Sequence, residues 1–76
     1  MKLKPIGSNQ TELELNGGTI IFFSYSTPVA ASTDDGFIRT KKHYSVTTSQ
    51  HISRWLNGRK AEEVDQSVLD NLIKGV

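Results

Sequence analysis

The stretch TTSQHISRWLNG, residues 47–58, decides the fold predicted for this chain, because it has the pattern of one short helix with a signal at each end. Thr47 and Gln50 have the spacing of a capping box, and Asn57-Gly58 supplies a left-handed stop. Its apolar positions recur at i, i+3 and i+4 and therefore share one helix face: Ile52, Trp55 and Leu56. We predict that this face, with the only tryptophan of the chain, packs on a sheet.

Two strands precede this helix and form a predicted hairpin. Residues 11–15 alternate polar and apolar side chains, which is typical of a half-buried strand, and residues 19–25 form the next strand. Asn16-Gly17-Gly18 between them favours a two-residue loop, which needs residues with positive φ. Whichever two turn residues form this loop, the same four side chains share a face: Leu13, Leu15, Ile20 and Phe22. We predict that this face is the core.

The second strand of the hairpin is apolar on its other face as well. Ile21, Phe23 and Tyr25 lie there, beside Glu12 and Glu14 on the neighbouring strand. A strand that is apolar on both sides is normally covered twice. The cover would be the N-terminal segment or the last helix. The alternative is an exposed apolar patch, Ile21, Phe23 and Tyr25, that binds a partner or a second copy of the chain.

The remaining segments complete a small α+β domain that spans residues 1–76. The pattern of residues 1–6 is ambiguous and fits an edge strand. Pro28 begins a further strand, and residues 37–42 form another after the turn at 33–36. A second helix begins after Asp65 as N-cap and is closed by Lys74-Gly75. Strands come first and helices last, so we predict an antiparallel three- to four-stranded meander followed by two short C-terminal helices.

Composition excludes several classes of protein. The chain has no cysteine, so it has neither a disulfide framework nor a thiolate metal site. No apolar run reaches the roughly 18–20 residues of a membrane span. The basic start, residues 1–4, lacks the apolar segment of a signal peptide. We expect a protein of the host-cell cytoplasm that does not bind membranes.

Catalytic chemistry finds little support in the sequence. Ser49, Ser53, His43 and His51 could supply a nucleophile and a base, but residues 37–60 contain no acid to orient a histidine. The two histidines lack the spacing of a zinc site, and the glycines form no phosphate-binding motif. We therefore expect no enzymatic activity, no cofactor and no metal.

Two motifs resemble a family of small uncharacterised bacteriophage proteins. The first is Ser24-Tyr25-Ser26-Thr27-Pro28-Val29-Ala30, and the second runs from Thr40 to Ile52, followed by Trp55-Leu56. The resemblance covers roughly residues 11–57. It implies a phage origin and a compact domain of strands followed by a helix, and it supplies no activity and no binding residues.

Charge is distributed unevenly along the chain. Residues 37–60 carry six basic residues and no acidic one, whereas the rest carries three basic and eight acidic residues. Such a segment can contact the phosphates of nucleic acid or an acidic protein. The candidate binding residues are the basic residues of this segment together with one tyrosine and one histidine: Arg39, Lys41, Lys42, Tyr44, His51, Arg54, Arg59 and Lys60. We expect docking on a host or phage protein, with nucleic-acid binding as the alternative and a homodimer as a further partner state.

Overall fold

The computed structural model describes residues 2–74, which form a six-stranded sheet and two helices. The strands and helices follow the chain in this order: β1 (Lys2–Gly7), β2 (Gln10–Glu14), β3 (Ile20–Ser24), β4 (Thr27–Thr33), β5 (Gly36–Thr40), α1 (Val46–Leu56), β6 (Ala61–Val64) and α2 (Gln66–Leu72). The strands lie side by side in sequence order. The first five are antiparallel neighbours, and β6 pairs in parallel with β5 after the chain crosses through α1.

The predicted α+β class is confirmed, but three to four strands are too few. β1 is the edge strand that the pattern of residues 1–6 left ambiguous, and β6 adds a strand in a charged segment between the two helices for which we predicted none. Glu62 and Glu63 make β6 look like a loop, and the extended conformation comes from pairing with β5, a contact remote in sequence. The two helices are therefore not consecutive, because β6 lies between them.

The predicted hairpin exists, but its register is shifted by one residue. Glu14 lies opposite Ile20, and Leu13 lies opposite Ile21. All three turn residues, Asn16-Gly17-Gly18, form the loop, which the Leu15 N–H closes by donating to the Thr19 carbonyl oxygen at 2.8 Å. An odd shift moves every side chain of one strand to the other face. The predicted common face is thus wrong: Leu13 and Leu15 lie with Ile21, and Phe22 lies on the side of Glu12.

Each face of the sheet carries one helix, and each helix has its own cluster of apolar side chains. On the face covered by α1 (the α1 face), the buried side chains are Phe22, Val29, Ala30, Ile52 and Leu56. On the face covered by α2 (the α2 face), they are Ile21, Ala31 and Leu69. An extra residue in β4, between the pairs Phe22–Ala30 and Phe23–Pro28, adds Val29 to the α1 face. Both sides of β3 are covered, and the last helix supplies the second cover.

The ends of the helices differ in part from the sequence prediction. The N-cap of α1 is Ser45, whose Oγ accepts from the Thr48 N–H at 3.1 Å, so Thr47 is not the cap. The predicted stop is confirmed, because Asn57 adopts the left-handed conformation at φ 50°. Asp65 is the N-cap position of α2, but its side chain makes no capping hydrogen bond to the helix. The predicted glycine stop after α2, Gly75, lies outside the described residues.

Candidate functional site

An exposed apolar groove lies on the α2 face near the β1 edge of the sheet. Five residues of β1, β2, β3 and the following turn line this groove, which we call the Leu3 groove: Leu3, Thr11, Phe23, Tyr25 and Ser26. Its volume is about 260 Å³. The groove stays open because α2 packs on β4 and β5 and leaves the β1 side of this face uncovered. Leu3 is 67% exposed and Tyr25 is 54% exposed.

Tyr25 is held in an unusual backbone conformation. Ser24 pairs with Thr27, so Tyr25-Ser26 is a two-residue turn between β3 and β4, and φ of Tyr25 is 58°. Its N–H donates to the Asn9 carbonyl oxygen at 2.7 Å. Bulky side chains rarely adopt positive φ, and such conformations persist where surrounding contacts enforce them, often at functional sites. The Tyr25 ring lies 6.0 Å from the His51 ring of α1, tilted by 42°, and the rest of this side chain faces solvent.

The three residues of the predicted apolar patch have different environments. Ile21 is fully buried under α2 and is not on the surface. Phe23 is half-buried and Tyr25 is exposed, and both line the Leu3 groove. The sequence analysis does not predict Leu3 as a site residue. Its alternation with Lys2 and Lys4 is the sequence signal that indicates an apolar side chain on one side of an edge strand. Leu3 belongs to the groove because it pairs with Leu13, which packs against the buried α2 cluster.

The eight residues of the predicted basic site do not form one surface. β5 and β6 pair from Phe37–Ala61 to Thr40–Val64, so Arg59 and Lys60 lie at one end of this pair and Lys41 and Lys42 at the other. The two ends are about 10 Å apart at roughly 3.3 Å per residue. Glu62 and Glu63 lie between them, and Glu63 is the residue of β6 beside Arg39 in the strand register. Acidic residues of β6 therefore interrupt the basic segment.

Several of these cations already have partners within the fold. Lys41 Nζ lies 2.9 Å from a carboxylate oxygen of Asp65. Lys42 Nζ lies 5.0 Å from the centroid of the Tyr44 ring, and Arg59 Cζ lies 5.3 Å from the centroid of the Phe37 ring. The Asp65 carboxylate offsets the charge of Lys41, whereas the uncharged rings orient Lys42 and Arg59 and leave their charges in place.

His51 lies in the interior and not on the basic surface. Its Nδ1 is 2.8 Å from the Ser24 hydroxyl, which is 3.1 Å from the Thr48 hydroxyl, and all three residues are buried. In the described part of the chain no carboxylate contacts His51, and Ser24 is only 2% exposed. Ser24 also lines a cavity of about 200 Å³ beside this cluster. The cluster satisfies buried polar groups where α1 packs on β3.

Trp55 has the position that the helix pattern predicts. Its ring stacks on Phe22, with centroids 5.1 Å apart, and meets Phe37 edge-on at 5.9 Å. Its indole N–H donates to a carboxylate oxygen of Glu12 at 2.7 Å. The polar edge of the ring is thereby paired at the border of the core.

The environment of Tyr44 shifts the pKa of its phenol. Partial desolvation, and secondarily the negative charge of Asp70, raises the pKa of the Tyr44 phenol above its usual 10.0. Tyr44 also lines a cavity of about 200 Å³ with Tyr25 and Thr48. The phenol is therefore neutral at physiological pH.

A second groove, which we call the α1 groove, runs along the exposed side of α1. It has a volume of about 400 Å³ and is lined by His43, Val46, Ser49, Gln50, Ser53 and Arg54. The His43 imidazole lies 3.5 Å from the Ser49 hydroxyl in this exposed region. Of the predicted basic residues, this groove contains only Arg54.

Within residues 2–74, no three side chains of His, Cys, Asp or Glu come together as a metal site would require. Neither α1 nor α2 has the length and apolar character needed to cross a membrane.

Over residues 1–71 the chain matches the model of a family described as "Family of unknown function (DUF8033)". The chain therefore belongs to this family. No curated protein and no solved structure matches the chain.

Proposed function

We propose that this chain is a small accessory protein of phage type that acts without catalysis, by docking on another protein of the host or the phage through the Leu3 groove. The observation that carries the proposal is the exposed apolar surface of Leu3 and Tyr25 beside half-buried Phe23. Tyrosine is enriched among the residues that carry most of the binding energy of protein interfaces. The phage origin is supported by the motif resemblance alone.

The conformation of Tyr25 supports the same proposal. A turn at φ 58° would be less strained with Gly or Asn than with Tyr. The aromatic side chain is nevertheless exposed and lines the groove. Its ring also lies 6.0 Å from the His51 ring, so the part of the side chain offered to a partner is the 54% that is exposed. Strained conformations of this kind often occur at binding sites.

The test compares two substitutions at side chains of equal exposure. Leu3→Asp places a charge in the groove, and Val46→Asp places the same charge at a side chain that is 68% exposed on α1. The unsubstituted protein and each variant are used to capture partners from extracts of the cells in which the protein is made. The captured partners are identified by quantitative mass spectrometry and are then purified for titration. We expect Leu3→Asp to weaken binding at least about tenfold and Val46→Asp to leave it unchanged. A partner that loses affinity equally for both variants would contradict the proposal.

Tyr25→Asn separates binding from folding. Asn tolerates the left-handed conformation better than Tyr, so we expect the free energy of unfolding to be kept or raised while partner affinity falls. Unfolding in urea and titration with the identified partner measure the two effects. Loss of stability with unchanged affinity would show that Tyr25 serves the fold.

Nucleic-acid binding is the second candidate, supported by the α1 groove. Arg54 and His43 lie there with two hydroxyl groups, a set of donors suited to phosphate. Titration with single- and double-stranded DNA and RNA at increasing salt tests it. Arg54→Ala should reduce the salt slope by about one, whereas Lys41→Ala should change it less because Lys41 is paired with Asp65. No binding at low salt would exclude this candidate.

A further inference from the structure

The two edges of the sheet carry opposite charges. β6 forms one edge and contributes Glu62 and Glu63, and β1 forms the other and contributes Lys2 and Lys4. All six residues of β1 are exposed. Neither Lys2 nor Lys4 has a carboxylate of residues 2–74 within ion-pair distance, although Glu14 and Glu12 are their cross-strand neighbours. β1 therefore offers an unpaired strand edge with two available positive charges.

The two sides of β1 have different chemistry. Lys2 and Lys4 lie on the α1 face with Glu14 and Glu12, while Leu3 lies on the α2 face with Leu13. Because side chains alternate along a strand, an added strand would meet lysines on one side and Leu3 on the other. The pattern that matches this edge is acidic, apolar, acidic. β2 already meets the inner edge of β1 with this pattern, Glu12-Leu13-Glu14.

We propose that the protein partner docks by adding an extended strand to β1, with acidic side chains beside Lys2 and Lys4 and an apolar side chain beside Leu3. This inference rests on the proposed docking function and specifies the segment that the Leu3 groove receives. In strand addition the main-chain hydrogen bonds supply affinity, and alternate side chains supply specificity. An apolar side chain of the added strand would extend over the α2 face beside the groove.

A second copy of the chain fits this edge less well. Pairing of β1 with β1 of another copy, in the register that continues both faces, sets lysine opposite lysine, and like charges in this position are destabilising. β6 of another copy offers only one glutamate to each face, because Ala61 packs with the α1 cluster and Val64 with the α2 cluster. Pro5 has no backbone N–H to donate, so an added strand from any source, a second copy included, would pair mainly along residues 2–4. The charges thus favour a different, acidic strand.

The experiment uses short fluorescent peptides that alternate glutamate and valine, with controls in which lysine replaces every glutamate. We expect saturable binding of the glutamate peptide and none of the lysine peptide, measured by fluorescence anisotropy with the full-length protein. Two further peptides carry a methyl group on every second backbone nitrogen, one on the glutamates and the other on the valines. One of them should lose binding and the other should keep it, because only one edge of the added strand faces β1. Equal effects of the two methylation patterns would overturn strand addition.

A charge exchange within the protein gives a matched variant. Lys2→Glu combined with Glu14→Lys keeps an opposite-charge pair between β1 and β2 and leaves the net charge unchanged. We expect about tenfold weaker binding of the glutamate peptide, together with an unchanged urea unfolding curve. Unchanged peptide affinity in this variant would overturn the assignment of the charges.

Two further readouts separate this inference from its alternatives. Light scattering that shows a dimer or a larger assembly, lost in the exchange variant, would assign the β1 edge to a second copy and overturn the proposal. If the glutamate peptide does not bind but a captured partner is still lost in Leu3→Asp and kept in Val46→Asp, strand addition fails and groove docking stands. If that partner is kept in both variants, groove docking itself fails.

Discussion

The two faces of the sheet are covered by different means. On the α1 face, an eleven-residue helix combines apolar packing with polar bonds, namely the Ser24–Thr48–His51 cluster and the bond from Trp55 to Glu12. On the α2 face, a seven-residue helix has one buried residue, Leu69, over Ile21 and Ala31. Polar bonds are directional, and those of α1 join three of its side chains to the sheet. α2 combines its apolar contact with a hydrogen bond from the Gln66 side-chain nitrogen to the Pro28 carbonyl oxygen at 2.7 Å. The face with the shorter helix is also the one with the open groove.

The largest expected effect comes from the two neighbouring residues of β3 that point to opposite faces. Phe22 and Ile21 are both completely buried. We expect Phe22→Ala to cost about 3–5 kcal/mol and Ile21→Ala about 2–5 kcal/mol, with the larger loss at Phe22 because the Trp55 stack is removed as well. Urea unfolding measures both. If Ile21→Ala does not fold, Ile21→Val provides a milder variant. We expect it to lower the free energy of unfolding by about 0.5–1.5 kcal/mol. A larger loss at Ile21 would reverse the ranking of the faces.

A smaller effect tests the polar cluster of the α1 face. Ser24→Ala leaves the His51 Nδ1 atom and the Thr48 hydroxyl without their buried partner, so we expect a loss of about 1–3 kcal/mol. Ser26→Ala, in the exposed turn two residues later, is the matched control and should stay within about 0.5 kcal/mol. Equal losses in urea unfolding would mean that the cluster does not stabilise the helix.

Glu12 and Glu14 provide the next comparison, because they lie on the same strand and the same face. Glu12→Ala removes the acceptor of the Trp55 N–H and should cost about 1 kcal/mol and shift the tryptophan emission. Glu14→Ala should cost less than about 0.5 kcal/mol with unchanged emission, because Glu14 is exposed. Identical emission spectra for both variants would argue against the bond.

The smallest effect is confined to alkaline pH. The pKa of Tyr44 is raised in the folded protein, so the unfolded chain loses this proton first and binds fewer protons over that interval. The stabilisation is therefore complete below pH 10 and is lost as the pH rises above 10. Tyr44→Phe should remove this part of the pH dependence, as measured by urea unfolding at neutral pH and above pH 10. The same alkaline loss in both proteins would contradict the assignment.

Local patterns predicted several elements correctly. The spacing of Ile52, Trp55 and Leu56 predicts the helix and the face that packs on the sheet, and the glycines after Asn16 predict the hairpin turn. The apolar character of both sides of β3 predicts a doubly covered strand, which the two clusters confirm. These features depend on residues close together in sequence, where spacing alone decides which side chains share a face.

The candidate site was harder to predict, because it depends on pairing between distant segments. Leu3 lies near Phe23 only because β1 and β3 flank β2 in the observed register. The basic segment is divided because β5 pairs in parallel with β6. His51 resembles a surface cation in sequence, but it lies inside because Ser24 and Thr48 offer it polar partners.

The amino-acid sequence by itself determined the α+β class, the α1 helix and the apolar nature of β3, because period and turn chemistry act over a few residues. Only the tertiary structure decided which face each side chain occupies, since one additional loop residue, Gly18, reverses the faces of the hairpin. It also decided that one strand edge is basic and the other acidic, because strand order follows from contacts that no local pattern encodes.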